Sequence, residues 1–183
     1  TRINTNKLNS PFFRDITYNT INSTEVADAL ISGPVKYVIV SDPMFETVLQ
    51  PFIEWKKMKG FNVVVAYTDE IGATTNAIKT YLTDLYDNPS DGTSPSFVLL
   101  VGDVTQIPAF SNGHATDLYY AEYTGDRLPE VFIGRFSAET IEELQPQIDK
   151  TLEVEKFEMP ESTYLENVVL VAGVDGTYAS KWG

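Results

Sequence analysis

Short apolar runs alternate with helical stripes through the middle of this chain, and that alternation restricts the fold more than any other feature. Val35-Lys36-Tyr37-Val38-Ile39-Val40 is a compact, β-branched run, as expected of a strand buried on both faces. Ser41-Asp42-Pro43 then opens a helix, with proline at a tolerated early position. Phe45, Val48, Leu49, Phe52 and Ile53 fall on one helical face. Pro51 lies inside that stripe and predicts a bend. Gly60 ends the helix after Lys56, Lys57 and Lys59, cations placed where the helix dipole favours them.

The pattern then repeats. Phe61-Asn62-Val63-Val64-Val65-Ala66-Tyr67 reads as a second strand, and Ala77, Ile78, Tyr81, Leu82 and Leu85 as a second helical stripe capped by Thr74 or Thr75. A Pro/Ser/Gly loop leads to Phe97-Val98-Leu99-Leu100-Val101, the most apolar strand, which ends at Gly102-Asp103. This β-α-β-α-β order predicts an α/β fold with an open parallel sheet. Beyond it, residues 104–130 carry turn residues, with short strands expected around Leu118-Tyr119-Tyr120. Val131-Phe132-Ile133-Gly134-Arg135 predicts a fourth strand. Ser137 is the expected cap of a long helix with Ile141, Leu144, Ile148 and Leu152 inward, interrupted at Pro146. Met159-Pro160-Glu161-Ser162 reads as a linker, and Val168-Val169-Leu170-Val171-Ala172-Gly173 as a strand of another sheet. Residues 1–33, rich in Asn, Thr and Ser, predict an irregular arm with one helical turn over Val26–Leu30.

Composition narrows the chemistry. Thirteen Lys and Arg against 26 Asp and Glu give a net charge of −13, which disfavours nucleic acid and anionic membranes as partners and suits cations. Apolar runs fall far short of the ~20 residues that span a bilayer. The chain has no Cys and one His, His114, so it holds no disulfide, thiol nucleophile or His-pair metal motif. A hydrolase built on it needs most of its catalytic groups from elsewhere. The start without Met and the stop at Gly183 suggest a processed or truncated product.

Functional groups of open α/β sheets collect at the carboxyl ends of strands. Asp103 and Asp175 occupy that position, each shortly after a glycine that lets the backbone turn. Taken alone, a strand-end Asp is first a turn cap. The loop Thr124-Gly125-Asp126-Arg127-Leu128-Pro129-Glu130 spaces its acids so that alternate oxygens face one hard cation, and calcium accepts carboxylates and carbonyls in irregular geometry. On spacing alone, a solvated acidic turn with Arg127 neutralising Asp126 is the simpler reading. His114, in Ser111-Asn112-Gly113-His114, reads as an exposed loop residue. No Gly-rich phosphate motif follows a strand.

Several runs together resemble one family. They are Pro51-Phe52-Ile53-Glu54-Trp55-Lys56-Lys57-Met58-Lys59-Gly60-Phe61, then Tyr67-Thr68-Asp69-Glu70 and Gly72-Ala73-Thr74-Thr75-Asn76-Ala77-Ile78-Lys79. Leu100-Val101-Gly102-Asp103, Thr116-Asp117-Leu118-Tyr119-Tyr120 and Leu128-Pro129-Glu130 follow in order. Met159 to Glu166 and Val171-Ala172-Gly173-Val174-Asp175 complete the set. From Val35 to Asp175 the chain is similar to the gingipain family of secreted cysteine peptidases, nearest its Lys-specific branch.

The resemblance implies a caspase-like fold of two side-by-side subdomains, each an open α/β sheet. Residues 34–160 would be the first and residues 161–183 the start of the second, catalytic one. The Cys nucleophile and its His would lie later in the chain, in agreement with the missing Cys. Asp175 matches the acid that orients the catalytic His. The family's structural calcium maps onto Asp103, Asp126, the Leu128 carbonyl and Glu130, although Thr124 stands where the relative has Asp. The implied partners are the remaining C-terminal half of the catalytic domain and a protein or peptide substrate, and the implied location is outside the cell or on its surface. The expectation is the N-terminal portion of a gingipain-like cysteine endopeptidase, inactive alone. Two alternatives stand behind it: a dyad-less scaffold or secretion component of the same family, and a flavodoxin-like ligand-binding domain.

Overall fold

The computed structural model describes residues 34–111, 113–161, 163 and 168–169. Two compact units divide the chain, Thr1–Leu152 and Glu153–Gly183. The arm over residues 1–33 lies outside the described residues. So does the strand expected at 168–173, save for Val168 and Val169.

Each of the four apolar runs between Val35 and Arg135 forms a strand at or within one or two residues of its expected place. The strands are β1 (Lys36–Ser41), β2 (Asn62–Tyr67), β3 (Pro95–Val101), β4 (Phe110–Ser111), β5 (Ala115–Thr116) and β6 (Phe132–Phe136). The helices are α1 (Glu46–Met58), the short α2 (Thr68–Ile71), α3 (Thr75–Asp87) and α4 (Ile141–Lys156). β1, β2, β3 and β6 make one parallel sheet in the order β2-β1-β3-β6, and β4 pairs with β5 as a small hairpin.

Period-two alternation sorts the strand residues between two cores. Val38, Val40, Val98 and Leu100 pack with Ile78, Leu82 and Tyr86 of α3. Ile39, Leu99 and Val101 face the other way, with Leu49, Phe52 and Ile53 of α1 and Leu144, Ile148 and Leu152 of α4. The result is a three-layer α/β arrangement, helices on both faces of a parallel sheet.

Three local expectations need correction. Leu118–Tyr120 is a 3-10 turn, and the strands of that region are β4 and β5. α4 is capped by Thr140, whose hydroxyl accepts from the Glu143 N–H at 3.3 Å. Ser137 instead turns its hydroxyl to Asp103. Pro146 does not interrupt α4, which runs from Ile141 to Lys156, and α1 likewise runs through Pro51, each ring removing one backbone donor from its helix.

At the amino end of the sheet the Lys36 side chain is buried and its Nζ donates to Asp91 Oδ1 at 2.6 Å. Asn62 Nδ2 donates to the other oxygen at 2.8 Å and the Thr93 N–H to the first at 3.1 Å. This clip ties β1, β2 and the loop before β3 together. Among the described residues no helix is long and apolar enough to cross a membrane.

Candidate functional site

The loops at the carboxyl ends of β1, β3 and β6 are where this fold can hold chemistry. β3 runs into Gly102, whose φ of +132° is a conformation that other residues avoid. A Cβ added there would come within 2.7 Å of the Gln106 Cβ. Asp103 follows. Its Oδ1 accepts the Ser137 hydroxyl at 2.7 Å. That bond, and one from the Val104 N–H, hold its carboxyl below the usual carboxylate range. Its carbonyl accepts from Gln106 and Ile107 at 3.0 and 2.8 Å, and its N–H donates to the Ala138 carbonyl at 2.9 Å. Asp103 is therefore built into its turn through its backbone, while its carboxylate takes the Ser137 hydroxyl.

Arg135 organises the same end. Its Nε and Nη2 donate to the two oxygens of Asp117 at 2.8 and 2.7 Å, the bidentate geometry that suits guanidinium to carboxylate. Nη1 donates to the carbonyls of Gly102 and Ile107 at 2.7 and 2.9 Å. One side chain thus holds the loop after β3 and the turn at Leu118–Tyr120 against β6. Sequence reasoning passed over Arg135. Its signal was an arginine inside an apolar strand, which must find partners if it turns inward.

The acidic loop before β6 forms a second cluster. Glu130 is 2% exposed. Its carboxylate accepts the Thr124 hydroxyl at 2.7 Å and the Tyr123 N–H. Burial is the main reason that its carboxyl is raised above the ordinary value, with Asp126 and Glu122 adding to it. Lys79 on α3 reaches in, donating to the Glu122 carbonyl, with Nζ 4.5 Å from the Tyr123 ring centre. Burial lowers the Lys79 pKa, while Glu122 and Glu130 act in the opposite sense. Burial and Glu130 push the Tyr123 phenol up. Asp126 Oδ1 accepts from the Leu128 N–H at 2.9 Å, closing its own turn.

The four expected calcium ligands are only partly brought together. Asp126, Leu128 and Glu130 share this loop, and Asp126 acts on Glu130. Asp103 is engaged with Ser137. Among the described residues no group of three or more His, Asp or Glu side chains is placed to hold a metal ion. Within the loop, Glu130 is a buried carboxylate crowded by like charge, beside Asp126, whose Oδ1 is engaged with the Leu128 N–H. Asp175 lies outside the described residues. His114 is exposed at the turn between β4 and β5, as its loop composition implied.

Comparison with known proteins agrees with the fold. Lys-gingipain W83 of Porphyromonas gingivalis is 38% identical over 95% of this chain, which spans 10% of that protein. Gingipain R2 of the same organism is 32% identical over 77% of this chain and 19% of its own length. A solved structure described as a protease superposes with a TM-score of 0.71 at 40% identity, covering 79% of this chain and 33% of that one. The Arg-specific cysteine proteinase gingipain R gives a TM-score of 0.60 at 33% identity, covering 66% of this chain and 28% of its own. The chain thus spans a tenth to a fifth of these curated relatives. The model of peptidase family C25 matches residues 31–181, and the chain belongs to that family.

Proposed function

We propose that these residues are the leading part of the catalytic domain of a gingipain-like cysteine endopeptidase, whose Cys and His lie in chain beyond them. The observation that carries this is membership of a cysteine peptidase family by a chain with no Cys and a single His on an exposed hairpin turn. In the complete enzyme the imidazole takes the thiol proton, and the thiolate attacks the substrate carbonyl. The peptide C–N bond breaks as the imidazolium returns its proton to the leaving amine, and water then hydrolyses the acyl-enzyme. Asp175 accepts the imidazole N–H, fixing the tautomer and stabilising the cation. The sheet described above supplies the scaffold, and its partners are the rest of the domain and a protein or peptide substrate. The same reading puts the complete protein outside the cell or on its surface.

The test compares two preparations. The 183-residue chain should hydrolyse no peptide, whereas the protein continuing through the rest of the C25 domain should do so and lose activity to a thiol alkylating agent. Turnover by the 183-residue chain would overturn this placement. A longer protein without a strand-end Cys and His would favour the scaffold reading instead.

We also propose that the loop ending at Glu130 takes one structural calcium, through Asp126, the Leu128 carbonyl and Glu130. Support comes from the buried, crowded Glu130 carboxylate, whose burden a divalent cation would relieve. Calcium at saturating concentration should raise the melting temperature by about 3 °C or more, and Glu130→Gln should remove the gain. Asp103→Ala separates two forms of the site: loss of the gain brings Asp103 into it, and retention leaves the ion to the loop. A melt unchanged by chelator would count against the ion altogether.

A further inference from the structure

The clip at the amino end of the sheet contains a reactive step of the main chain. In Asn88-Pro89-Ser90-Asp91-Gly92-Thr93 an aspartate precedes a glycine. Glycine has no side chain to shield its nitrogen, and Gly92 sits at φ +74°, where a Cβ would meet nothing within 4 Å among the described residues. A nitrogen so little hindered can attack the Cγ of the aspartate before it and close a five-membered ring. The Asp91 side chain is 41% exposed, so the water that this chemistry releases and consumes has access.

The fold engages both reacting groups elsewhere. Asp91 Oδ1 accepts from Lys36 Nζ at 2.6 Å and from the Thr93 N–H at 3.1 Å, and Oδ2 accepts from Asn62 Nδ2 at 2.8 Å. The Gly92 N–H donates to the Pro89 carbonyl at 3.0 Å. Lys36 belongs to β1 and Asn62 to β2, so two strands hold the carboxyl from outside its own loop. The lysine also keeps that carboxyl ionised, and a carboxylate resists attack by a nucleophile.

We propose that Asp91–Gly92 is a modification site at which the main chain rearranges to isoaspartate, and that Lys36 and Asn62 keep it shut while the clip is intact. The Gly92 nitrogen bonds to Asp91 Cγ as a C–O bond of the protonated carboxyl breaks. The amide proton and that hydroxyl leave together as water, and a succinimide remains. Water then adds at the former main-chain carbonyl, whose C–N bond to Gly92 breaks. The product has the mass of the original, a main chain longer by one carbon, and its free carboxylate on Cα. Water is the one co-reactant, and nothing is oxidised or reduced. The displaced carboxylate no longer meets Lys36, so a buried ammonium loses its partner and the clip does not re-form.

Peptide mapping reads the conversion, because isoaspartate shifts a peptide's retention at constant mass and the succinimide is lighter by one water. Held at mildly acidic pH, the folded chain should convert at Asp91 about tenfold or more slowly than the chain unfolded in guanidinium. Lys36→Met should raise the folded-state rate by about tenfold, and Asn62→Ala by less. Ile78→Val in α3 loosens the core without touching the clip, and should leave the rate at the wild-type value. Circular dichroism establishes that each variant is folded; should Lys36→Met fail to fold, Asn62→Ala decides the question. Rates in the clip variants equal to wild type would overturn the proposal. Acceleration by Ile78→Val as large as that by the clip variants would also overturn it, since overall stability would then control the reaction.

Discussion

Asp91→Ala should destabilise the chain by about 2–3 kcal/mol, the largest loss expected from any single change at the amino end of the sheet. The Lys36 side chain is 2% exposed and its ammonium meets Asp91 at 2.6 Å. Removing one partner of a buried pair leaves the other charge uncompensated, at about 3–5 kcal/mol when both are buried. Asp91 is 41% exposed, so water reaches the vacated side of the pair and the lower figure applies. Lys36→Met removes the charge and keeps the stem's packing, so it should cost less, and the double variant should resemble Lys36→Met alone. Urea midpoints at constant slope measure all three. Equal losses for Asp91→Ala and Lys36→Met would show that packing, not the stranded charge, sets the effect.

The pH dependence has a definite sign. The hydrogen bond from Lys36 holds the Asp91 pKa below its ordinary value of 3.8. Its contribution is therefore complete above that value and is lost as pH falls through the depressed one. Acid unfolding of the wild type should steepen below about pH 4, and Asp91→Asn should flatten that limb.

Asp175→Ala, made in the complete peptidase, should lower kcat by about 10²–10⁴-fold, within the range of losses for the acid of a catalytic triad. In the role proposed for it, Asp175 acts through the imidazole and so is a positioning residue. Its loss should move the pH profile of kcat/KM, because an unsupported imidazolium gives up its proton more readily. KM for a short peptide should change little, and the melting temperature should stay within about 2 °C. Wild-type turnover in this variant would return Asp175 to a turn cap.

The sheet was legible in the sequence because its information is local. β1, β2, β3 and β6 are runs of Val, Ile, Leu and Phe too short for helices, and the stripes of α1, α3 and α4 repeat at the helical period. The region from Val104 to Glu130 was not legible, for an equally physical reason. Its shape depends on Arg135 reaching back to Asp117 and Gly102, and on Lys79 crossing from α3 to Glu122. Such bonds span 18 to 43 residues, and no periodicity announces them. Ser137 shows the same limit on a small scale. It is a good helix cap by composition, yet Asp103, 34 residues earlier, takes its hydroxyl. Within the acidic loop, spacing pointed to Asp126 and Glu130, but only burial reveals that Glu130 is the strained carboxylate of the pair.

The position of β6 at the rim of the sheet has a practical corollary. Only β3 pairs with it among the described residues, and its first residue, Phe132, is 42% exposed. An uncapped strand of this sort recruits other strands indiscriminately. Mutual repulsion between copies, each carrying thirteen surplus negative charges, opposes that recruitment. Colloidal behaviour of the purified chain should thus deteriorate as added salt shortens the reach of that repulsion.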